Sequence, residues 1–434
     1  MSPEISGLTG IILLLLLMFI NMPVGFAMGF VGLIGYCYIV NSNAGLYILS
    51  FEMWSAFSSY SLTVIPLFIL MGQIAYYSGI SKRLYDAAYM WIGHKRGGLA
   101  MATVGACAGF STISGSTNAT AATMAAVTIP EMKRFGYDMK LATGTVAAAG
   151  SLGILIPPSV IFIIYGILTE QSIGKLFAAG IIPGIILSIL FILSIYITVL
   201  RKPELAPAGK KVSFKECLAS FFGVIETVII FALIMTGIFM GFFTPTEAAG
   251  VGAFLVLVVA LIQKKISWKD FIASLSDTTK ISCMIMVIVA GAMVFGKFMA
   301  VSQIPSNLAG WVAGLNVSKY AVLTLILLVY FFGGCFMDSL AMIMLTIPIF
   351  YPLIISLGFD PIWFGVIVVI MTEIGVITPP VGINVYVVQA FAKDVPLEDI
   401  FAGVIPMLIA MLVCAFLLVV FPDLTTFLPN LICK

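Results

Sequence analysis

The chain has 434 residues, of which 62% are hydrophobic and only 9% are charged, whereas soluble domains carry about 25% charged residues. The formal net charge of +2 gives no indication of a nucleic-acid partner, and the single histidine excludes a site built from several histidines. The seven cysteines are scattered without a CxxC pair, so neither a zinc site nor a redox motif is indicated. We therefore expect an all-α polytopic membrane protein whose solvent is the lipid bilayer.

Long apolar runs follow one another in two sets, separated by one polar stretch at residues 201–216. The first set lies at about 7–20, 24–40, 60–80, 98–130, 140–170 and 177–200. The second set lies at about 220–241, 246–262, 281–300, 320–357, 362–392 and 400–422. A spanning helix needs about 20 apolar residues. We expect a first repeat at 1–200, a cytoplasmic linker at 201–216 and a second repeat at 217–434.

Four short motifs of the first half recur in the same order in the second half, which predicts an internal repeat. The motif pairs are Thr128-Ile129-Pro130 and Thr346-Ile347-Pro348, Gly136-x-Asp138 and Gly358-x-Asp360, Gly153-x-x-x-Pro157-Pro158 and Gly375-x-x-x-Pro379-Pro380, and Ala179-Gly180-x-Ile182-Pro183 and Ala402-Gly403-x-Ile405-Pro406. Shared membrane composition would explain one such match, but not four in the same order.

Residues 98–130 and 320–357 are rich in small residues and have Gly-containing middles where the chain can bend. Two arms of about 15 residues would each be about 22 Å long, shorter than the ~30 Å hydrocarbon core. We interpret both segments as re-entrant hairpins that enter and leave on the same side. Each repeat then crosses the membrane an odd number of times, so the second repeat is inverted relative to the first.

The distribution of basic residues favours this topology. With the N-terminus outside, the inner side receives all of the 21 lysines and arginines except Lys175, Lys297, Lys319 and Lys434, as the positive-inside rule requires. We therefore expect both termini on the outer side and the loop at Lys210-Lys211 in the cytoplasm. The first hairpin opens from the cytoplasm and the second from outside.

Each half contains a Pro-Pro pair inside a segment long enough to span, at about 140–170 and 362–392. Proline interrupts a helix and frees carbonyl oxygens, which suit Na⁺, while the half-helix that follows offers N–H groups to an anion. A plain proline kink is the alternative, but equivalent positions in two repeats favour a binding role. The residues expected beside the anion are Pro158, Ser159, Pro380, Val381, Gly382 and Asn384.

The predicted hairpin tips carry side chains with oxygen atoms. Those at the first tip suit Na⁺ or substrate, with helix capping as the alternative; they are Ser114, Ser116, Thr117 and Asn118. The second tip lies near residues 333–339, where Asp338 either ligates an ion or caps the second arm.

Three charged residues fall within or beside apolar runs, namely Glu247, Lys297 and Glu373. Intramembrane charges are costly unless they pair or face a cavity. We expect structural pairing for Glu247 and Lys297. Glu373 takes the position that Ser151 has in the first repeat, and its role is left open.

The chain resembles the large membrane subunit of TRAP transporters (tripartite ATP-independent periplasmic transporters) over nearly its whole length. The motifs that carry the resemblance are Ser114-Gly-Ser-Thr-Asn118, Leu152-Gly-Ile-Leu-Ile-Pro-Pro-Ser159, Tyr165-Gly-Ile-Leu-Thr-Glu170, Thr244-Pro-Thr-Glu-Ala-Ala249, Gly334-Cys-Phe-Met-Asp338 and Ile377-Thr-Pro-Pro-Val-Gly-Ile-Asn384. The resemblance implies sodium-coupled import of a small organic anion across the bacterial inner membrane by an elevator mechanism. It also implies a periplasmic substrate-binding protein and a small four-helix membrane subunit, which we expect as a separate chain.

The resemblance further implies two or more Na⁺ ions as coupling ions. The positions of this chain that match the family's sodium sites are Ser116, Asn118, Gly150, Gly153, Gly334, Asp338, Gly375 and Thr378. The mobile transport domain would comprise residues 98–170 and 320–392, and the remainder would be the scaffold. The anion stays open among dicarboxylates, sugar acids such as sialic acid, keto acids and sulfonates.

Two other classes of function are alternatives. The first is an ion channel, a cation/proton antiporter or a related carrier that works without a binding protein. Antiporters usually need buried titratable relays, and this sequence offers few. An intramembrane enzyme is disfavoured because the sequence has no HExxH, GxSxG or paired-aspartate signature.

Overall fold

The computed structural model describes residues 2–209, 212–314 and 317–432. Within these ranges the chain forms α-helices joined by short connections and contains no β-strand. Two lysines of the predicted cytoplasmic loop, Lys210 and Lys211, and the C-terminal Lys434 lie outside the described residues.

The helices of the first half include two pairs that coincide with the predicted hairpin and interrupted segment. They are α1 (Pro3–Phe19), α2 (Val24–Ile39), α3 (Ser42–Ser58), α4 (Val64–Tyr77), α5 (Ile80–Ile92), α6 (Gly98–Ser114), α7 (Thr117–Arg134), α8 (Met139–Ala149), α9 (Leu152–Leu155), α10 (Val160–Thr169) and α11 (Ile173–Arg201). Two 3₁₀ turns, Ser61–Thr63 and Pro203–Leu205, complete this half.

The second half has a similar order of long, short and paired helices. They are α12 (Phe214–Phe222), α13 (Ile225–Phe239), α14 (Pro245–Ile262), α15 (Trp268–Val301), α16 (Ile304–Gly314), α17 (Lys319–Gly334), α18 (Ser339–Ser356), α19 (Pro361–Val376), α20 (Ile383–Gln389), α21 (Leu397–Val420) and α22 (Asp423–Ile432).

Several of these helices are long and apolar enough to cross a bilayer. By length and composition, the described residues contain five such helices, or up to eight if each of three bent helix pairs is one span. The five are α11, α14, α15, α18 and α21. This pattern supports a protein that crosses the membrane several times, and the predicted inversion of the two repeats stays a prediction.

Two helix pairs occupy the segments predicted as hairpins. The arms α6 and α7 have 17 and 18 residues, and α17 and α18 have 16 and 18, so the arms are longer than the expected 15 or so. Gly115 takes a φ of +59° at the first tip, a conformation that glycine adopts without steric cost.

Each predicted break coincides with an interruption of the helix. In the first half the chain bends by 40° between residues 139–155 and 160–169. In the second half α19 ends at Val376 and α20 begins at Ile383. The prolines at 157–158 and 379–380 lie in these gaps, because they cannot continue the hydrogen-bond pattern of the preceding turn.

Helix α3 lies where no apolar run was found. Polar residues recur along it and break the run, yet it packs against α2 and α15 and buries the carboxylate of Glu52. A helix with scattered polar residues has no continuous apolar run, so a search for such runs does not find it. Helix α5 was missed for the same reason, since its charged residues interrupt the apolar positions.

The helices pack in two groups. One group contains α2, α3, α4, α14 and α15, which contact one another extensively. The other is built around the hairpins and interrupted helices, and α11 and α21 pack against it. Lys140 Nζ lies 2.7 Å from Asp399 Oδ1, and Trp363 Nε1 donates to Leu418 O at 2.8 Å. Asp399 lies in the first turn of α21 and Leu418 in its last turn, so both contacts join α21 to the second group.

Candidate functional site

A cavity of about 390 Å³ lies where the two hairpin tips face the first group of helices. The first tip contributes residues 115–119 and the second contributes Asp338, Ser339 and Leu340. Helices α4 and α15 supply the opposite wall through Gln73, Ile281, Met284 and Ile285. A second cavity of about 230 Å³, lined partly by the same residues, extends along Tyr76 and Ser114. The lining is apolar with a few converging polar groups, as is usual for small-molecule sites.

One carboxylate joins the two tips. Glu373, on α19, is 1% exposed. Its Oε2 accepts a hydrogen bond from Thr117 Oγ1 at 2.9 Å, and its Oε1 accepts one from Ser339 Oγ at 2.9 Å. Thr117 begins the second arm of the first hairpin, and Ser339 begins the second arm of the other. The three side chains therefore meet at one point of the cavity.

The first tip packs tightly against the first interrupted helix. A Cβ on Gly153 would lie 2.5 Å from Ser116 O and 2.7 Å from Thr120 Oγ1, so only glycine lets the tip approach this closely. Ser114 Oγ and Thr120 Oγ1 are 2.6 Å apart. Gly150 is in contact with Ala121 of α7. Ser116, Gly150 and Gly153, which the resemblance places with Asn118 among the sodium-site positions of the first half, are thus brought close to the same tip.

The second tip meets the second interrupted helix in an equivalent way. A Cβ on Gly375 would lie 2.6 Å from the Cα of Gly334. Thr378 N donates to Gly375 O at 2.9 Å, and its hydroxyl donates to Ile374 O at 2.6 Å. Asp338 caps α18 by accepting from Leu340 N at 3.2 Å, and it also lines the cavity. Capping therefore occupies one Asp338 oxygen, and the predicted role of this residue as an ion ligand stays a prediction.

The segments that follow the prolines hold the tips. Val160 N donates to Gly115 O at 3.4 Å, and Val381 N donates to Cys335 O at 3.3 Å. Ser159 caps α10 by accepting from Phe162 N at 3.4 Å. These N–H groups were expected to receive an anion, and here they donate to the protein itself. Gly115 also packs closely against the residues of the first break, since a Cβ on it would lie 3.0 Å from Pro158 O.

Two buried amide oxygens have no hydrogen-bond partner among the described residues, Asn118 Oδ1 and Asn384 Oδ1. Asn384 is fully buried, and its Nδ2 donates to Ala147 O at 3.2 Å. Unpaired buried acceptors are rare in proteins. They are suitable ligands for a hard cation such as Na⁺.

The predicted site residues divide into two sets. Ser116, Thr117, Asn118 and Asp338 line the 390 Å³ cavity, and Ser114 lines the adjoining one. The others are not among the described lining residues of the larger cavity; they are Gly150, Gly153, Pro158, Ser159, Gly334, Gly375, Thr378, Pro380, Val381, Gly382 and Asn384. Most of these lie in the breaks and in the glycine contacts against which the tips pack.

Sequence reasoning left two residues of the site unassigned. Glu373 was noted as a buried charge without a role, and Ser339 was not singled out. The available signal was the replacement of Ser151 by Glu373 at equivalent repeat positions. Ser151 Oγ donates to Ala148 O within its own helix, at 2.6 Å, whereas Glu373 reaches both tips.

The other charges serve structure. Lys297 Nζ lies 3.5 Å from Glu52 Oε1, beside a separate cavity of about 460 Å³ between α3, α15 and α18. Glu247 accepts from Thr244 N at 2.8 Å in a capping box at the start of α14. The structural pairing expected for Lys297 is found, with Glu52 as a partner that the sequence did not identify. Glu247 instead caps its own helix, and no ion pair of the described residues includes it.

Comparison with known proteins identifies the relatives of this chain. Residues 11–424 match the family model of the tripartite ATP-independent periplasmic transporter, DctM component. The chain is 39% identical to the C4-dicarboxylate TRAP transporter large permease protein DctM of Pseudomonas aeruginosa, over 88% of this chain and 89% of the relative. It is 34% identical to the sialic acid TRAP transporter large permease protein SiaM of Vibrio cholerae, over 96% of each.

A third relative is the isethionate TRAP transporter permease protein DctMQ of Oleidesulfovibrio alaskensis, 34% identical over 87% of this chain and 58% of the relative. Among solved structures, the YdaH transporter of Alcanivorax borkumensis superposes with a TM-score of 0.67 over 96% of this chain and 98% of that chain, at 16% identity. At that identity the likeness concerns the fold alone.

Proposed function

Because the chain belongs to the DctM component family of tripartite ATP-independent periplasmic transporters, we propose that it imports a small organic anion by sodium symport. It is a multi-pass membrane protein and a transporter permease, which confirms the prediction that it is not an enzyme. The family works with a periplasmic binding protein and a small subunit.

The substrate class follows from the relatives. Their names specify C4-dicarboxylates, sialic acid and isethionate, all of which carry a carboxylate or a sulfonate. We assign this chain a small organic anion of the same kind, delivered by a binding protein. The observation that carries the assignment is the 390 Å³ cavity between the two hairpin tips, which is large enough for such an anion.

Sodium coupling is supported by the chemistry of the tips. The candidate ligands are hydroxyl, amide, carboxylate and backbone oxygens, which are the donors that hard cations prefer. Asn118 Oδ1 and Asn384 Oδ1 are buried acceptors without partners among the described residues, and a bound Na⁺ would satisfy such atoms. Two or more ions would enter with each anion, at least one at each interrupted helix.

The elevator proposal rests on where the cavity walls come from. Both tips belong to the group of helices built around the hairpins, whereas Gln73, Ile281 and Met284 belong to α4 and α15. Movement of the hairpin group across the group that contains α4 and α15 carries the site without rebuilding it. The contacts of α11 and α21 with the hairpin group lead us to place these two helices in the moving body, in addition to residues 98–170 and 320–392.

We further propose that the protein lies in the bacterial inner membrane with both termini in the periplasm, and that its small subunit is a separate chain bound to the scaffold. The isethionate relative DctMQ is a longer protein, of which this chain covers 58%.

Reconstitution into liposomes tests the function and its coupling. The chain, its small subunit and a binding protein loaded with succinate, sialic acid or isethionate are assayed with an imposed Na⁺ gradient or an imposed H⁺ gradient. We expect uptake of one anion only with inward Na⁺ and only with the binding protein. Uptake driven by protons in sodium-free buffer would show that the coupling ion is wrong, and uptake without a binding protein would favour the alternative class of carrier.

A further inference from the structure

Glu373 is the one residue of the described chain that hydrogen-bonds to both hairpin tips. Thr117 and Ser339 each donate a hydroxyl hydrogen to a different oxygen of its carboxylate, both at 2.9 Å. An ionised carboxylate only accepts hydrogen bonds, so this arrangement satisfies both of its oxygens. The two hairpins and α19 are therefore held together at one buried group.

The ionisable groups that line the cavity are all acidic. Asp338 and Glu373 line it, and its described lining residues include no lysine, arginine or histidine. When these two groups are ionised they repel an anion, and this repulsion is stronger in a buried site than in solvent. The tip hydroxyls of Thr117 and Ser339 are also already engaged by Glu373. Binding of the anion to the ionised site without a cation is therefore unfavourable.

This negative charge comes from one half of the protein only. The equivalent residue of the first half is Ser151, whose hydroxyl donates to Ala148 O in its own helix. A serine at position 373 would preserve the symmetry of the repeat and would leave the cavity one charge less negative. The carboxylate is thus a specific addition at the point where the two tips meet.

We propose that Glu373 is a positioning and specificity residue, whose charge makes binding of the anion depend on bound cations and whose hydrogen bonds hold the two tips together. The inference rests on the proposed function, since it assumes an anion and a coupling cation in this cavity. Cations that enter first neutralise the carboxylates, and the anion then binds. An anion without cations is rejected, which prevents its movement without sodium.

The test measures how strongly sodium affects anion affinity. The full chain in lipid nanodiscs is titrated with succinate, sialic acid and isethionate in NaCl and in choline chloride of equal ionic strength. For the wild type we expect one anion to bind more tightly in NaCl. In Glu373→Gln, we expect the ratio of the two affinities to fall by about tenfold, within the usual range of coupling between sites, because affinity in choline rises.

Controls separate charge from structure. Glu373→Asp keeps the charge, and Thr117→Val and Ser339→Ala each remove one hydrogen bond but also keep the charge. All three should retain the sodium dependence, although their affinities fall. Glu247→Gln removes a carboxylate outside the cavity and should also retain it. If the glutamine variant does not fold, Glu373→Ser, which copies Ser151, takes its place.

The inference would be overturned if Glu373→Gln, or Glu373→Ser in its place, kept the wild-type ratio of anion affinity in NaCl to that in choline chloride. The inference would also be overturned if Thr117→Val and Ser339→Ala lowered the ratio of anion affinity in NaCl to that in choline chloride as much as Glu373→Gln does. The role of Glu373 would then be structural. A wild type that binds none of the three anions in either salt would count against the proposed function itself, and the inference would fail with it.

Discussion

Gly144 and Gly403 are in backbone contact, where α8 crosses α21. A Cβ on Gly144 would lie 2.7 Å from the Cα of Gly403, and a Cβ on Gly403 would lie 2.7 Å from the carbonyl carbon of Lys140. Gly403 belongs to one of the repeated motifs, and small residues at membrane helix crossings allow such close packing. This close contact supports our proposal that α21 moves together with α8.

Gly144→Ala and Gly403→Ala should each lower the apparent unfolding temperature, because the added methyl group overlaps backbone that cannot move aside. Overpacking of this kind costs about 1–3 kcal/mol. Thermal unfolding of the purified protein in detergent measures the effect. Gly310→Ala is the matched control, since a Cβ there has nothing within 4 Å among the described residues. An equal loss in all three variants would remove the argument from packing.

A disulfide between the two groups of helices should stop transport. A Cβ on Gly296 of α15 would lie 4.0 Å from the Cβ of Pro348 on α18, and bridged cysteines have their Cβ atoms about 3.5–4.5 Å apart. In a background without native cysteines, Gly296→Cys with Pro348→Cys should lose anion uptake on oxidation and regain it on reduction. Each single cysteine variant should transport normally. Full uptake by a quantitatively cross-linked protein would refute a moving body.

Asn118→Ala and Thr378→Ala should each raise the sodium concentration needed for half-maximal uptake, by about five- to tenfold if one oxygen ligand contributes about 1–1.4 kcal/mol. Asn118 offers a buried amide oxygen without a partner among the described residues, and Thr378 lies in the second break. Sodium titration of uptake in liposomes provides the measurement. Thr324→Ala, on the exposed face of α17, should leave the sodium dependence unchanged. Unaltered sodium dependence in both test variants would remove these residues from the coupling sites.

The ion pair between Glu52 and Lys297 should stabilise α3 on the scaffold. The Glu52 side chain is 4% exposed and that of Lys297 is 52% exposed, so removing the lysine leaves a buried carboxylate without its charge partner. We expect Lys297→Met to lower stability by about 1–3 kcal/mol, less than for a fully buried pair. Adding Glu52→Gln should restore part of the loss. A double variant whose loss is the sum of both single losses would show that the two side chains do not interact.

The predicted topology can be tested with membrane-impermeant thiol reagents in intact cells. In a cysteine-free background, Ser2→Cys should be labelled from outside, whereas Lys202→Cys in the linker should be labelled only after the membrane is opened. The reason is the excess of basic residues on the side that contains residues 201–216. Labelling of position 202 in intact cells would contradict the inverted-repeat arrangement.

The segments of the fold that carry the site could be predicted from the sequence. Apolar length, glycine-containing bends and the Pro-Pro pairs each act over a few residues, so the hairpin predicted at about residues 98–130 and the breaks near Pro157 and Pro379 follow from local chemistry. Membership of the family followed from six motifs in order. Helix α3 was missed because its scattered polar residues leave no continuous apolar run.

Only the tertiary structure determines which side chains join the two hairpin tips. Thr117 and Glu373 are separated by 256 positions, and no local pattern indicates that their side chains meet. The same holds for Lys297, which could have paired with any buried acid and whose partner is Glu52. The sequence determines which segments can form a helix or a bend and which residues can carry a charge. Which of them share a buried site depends on how helices from both halves pack, because hydrogen bonds and ion pairs act only over a few ångströms.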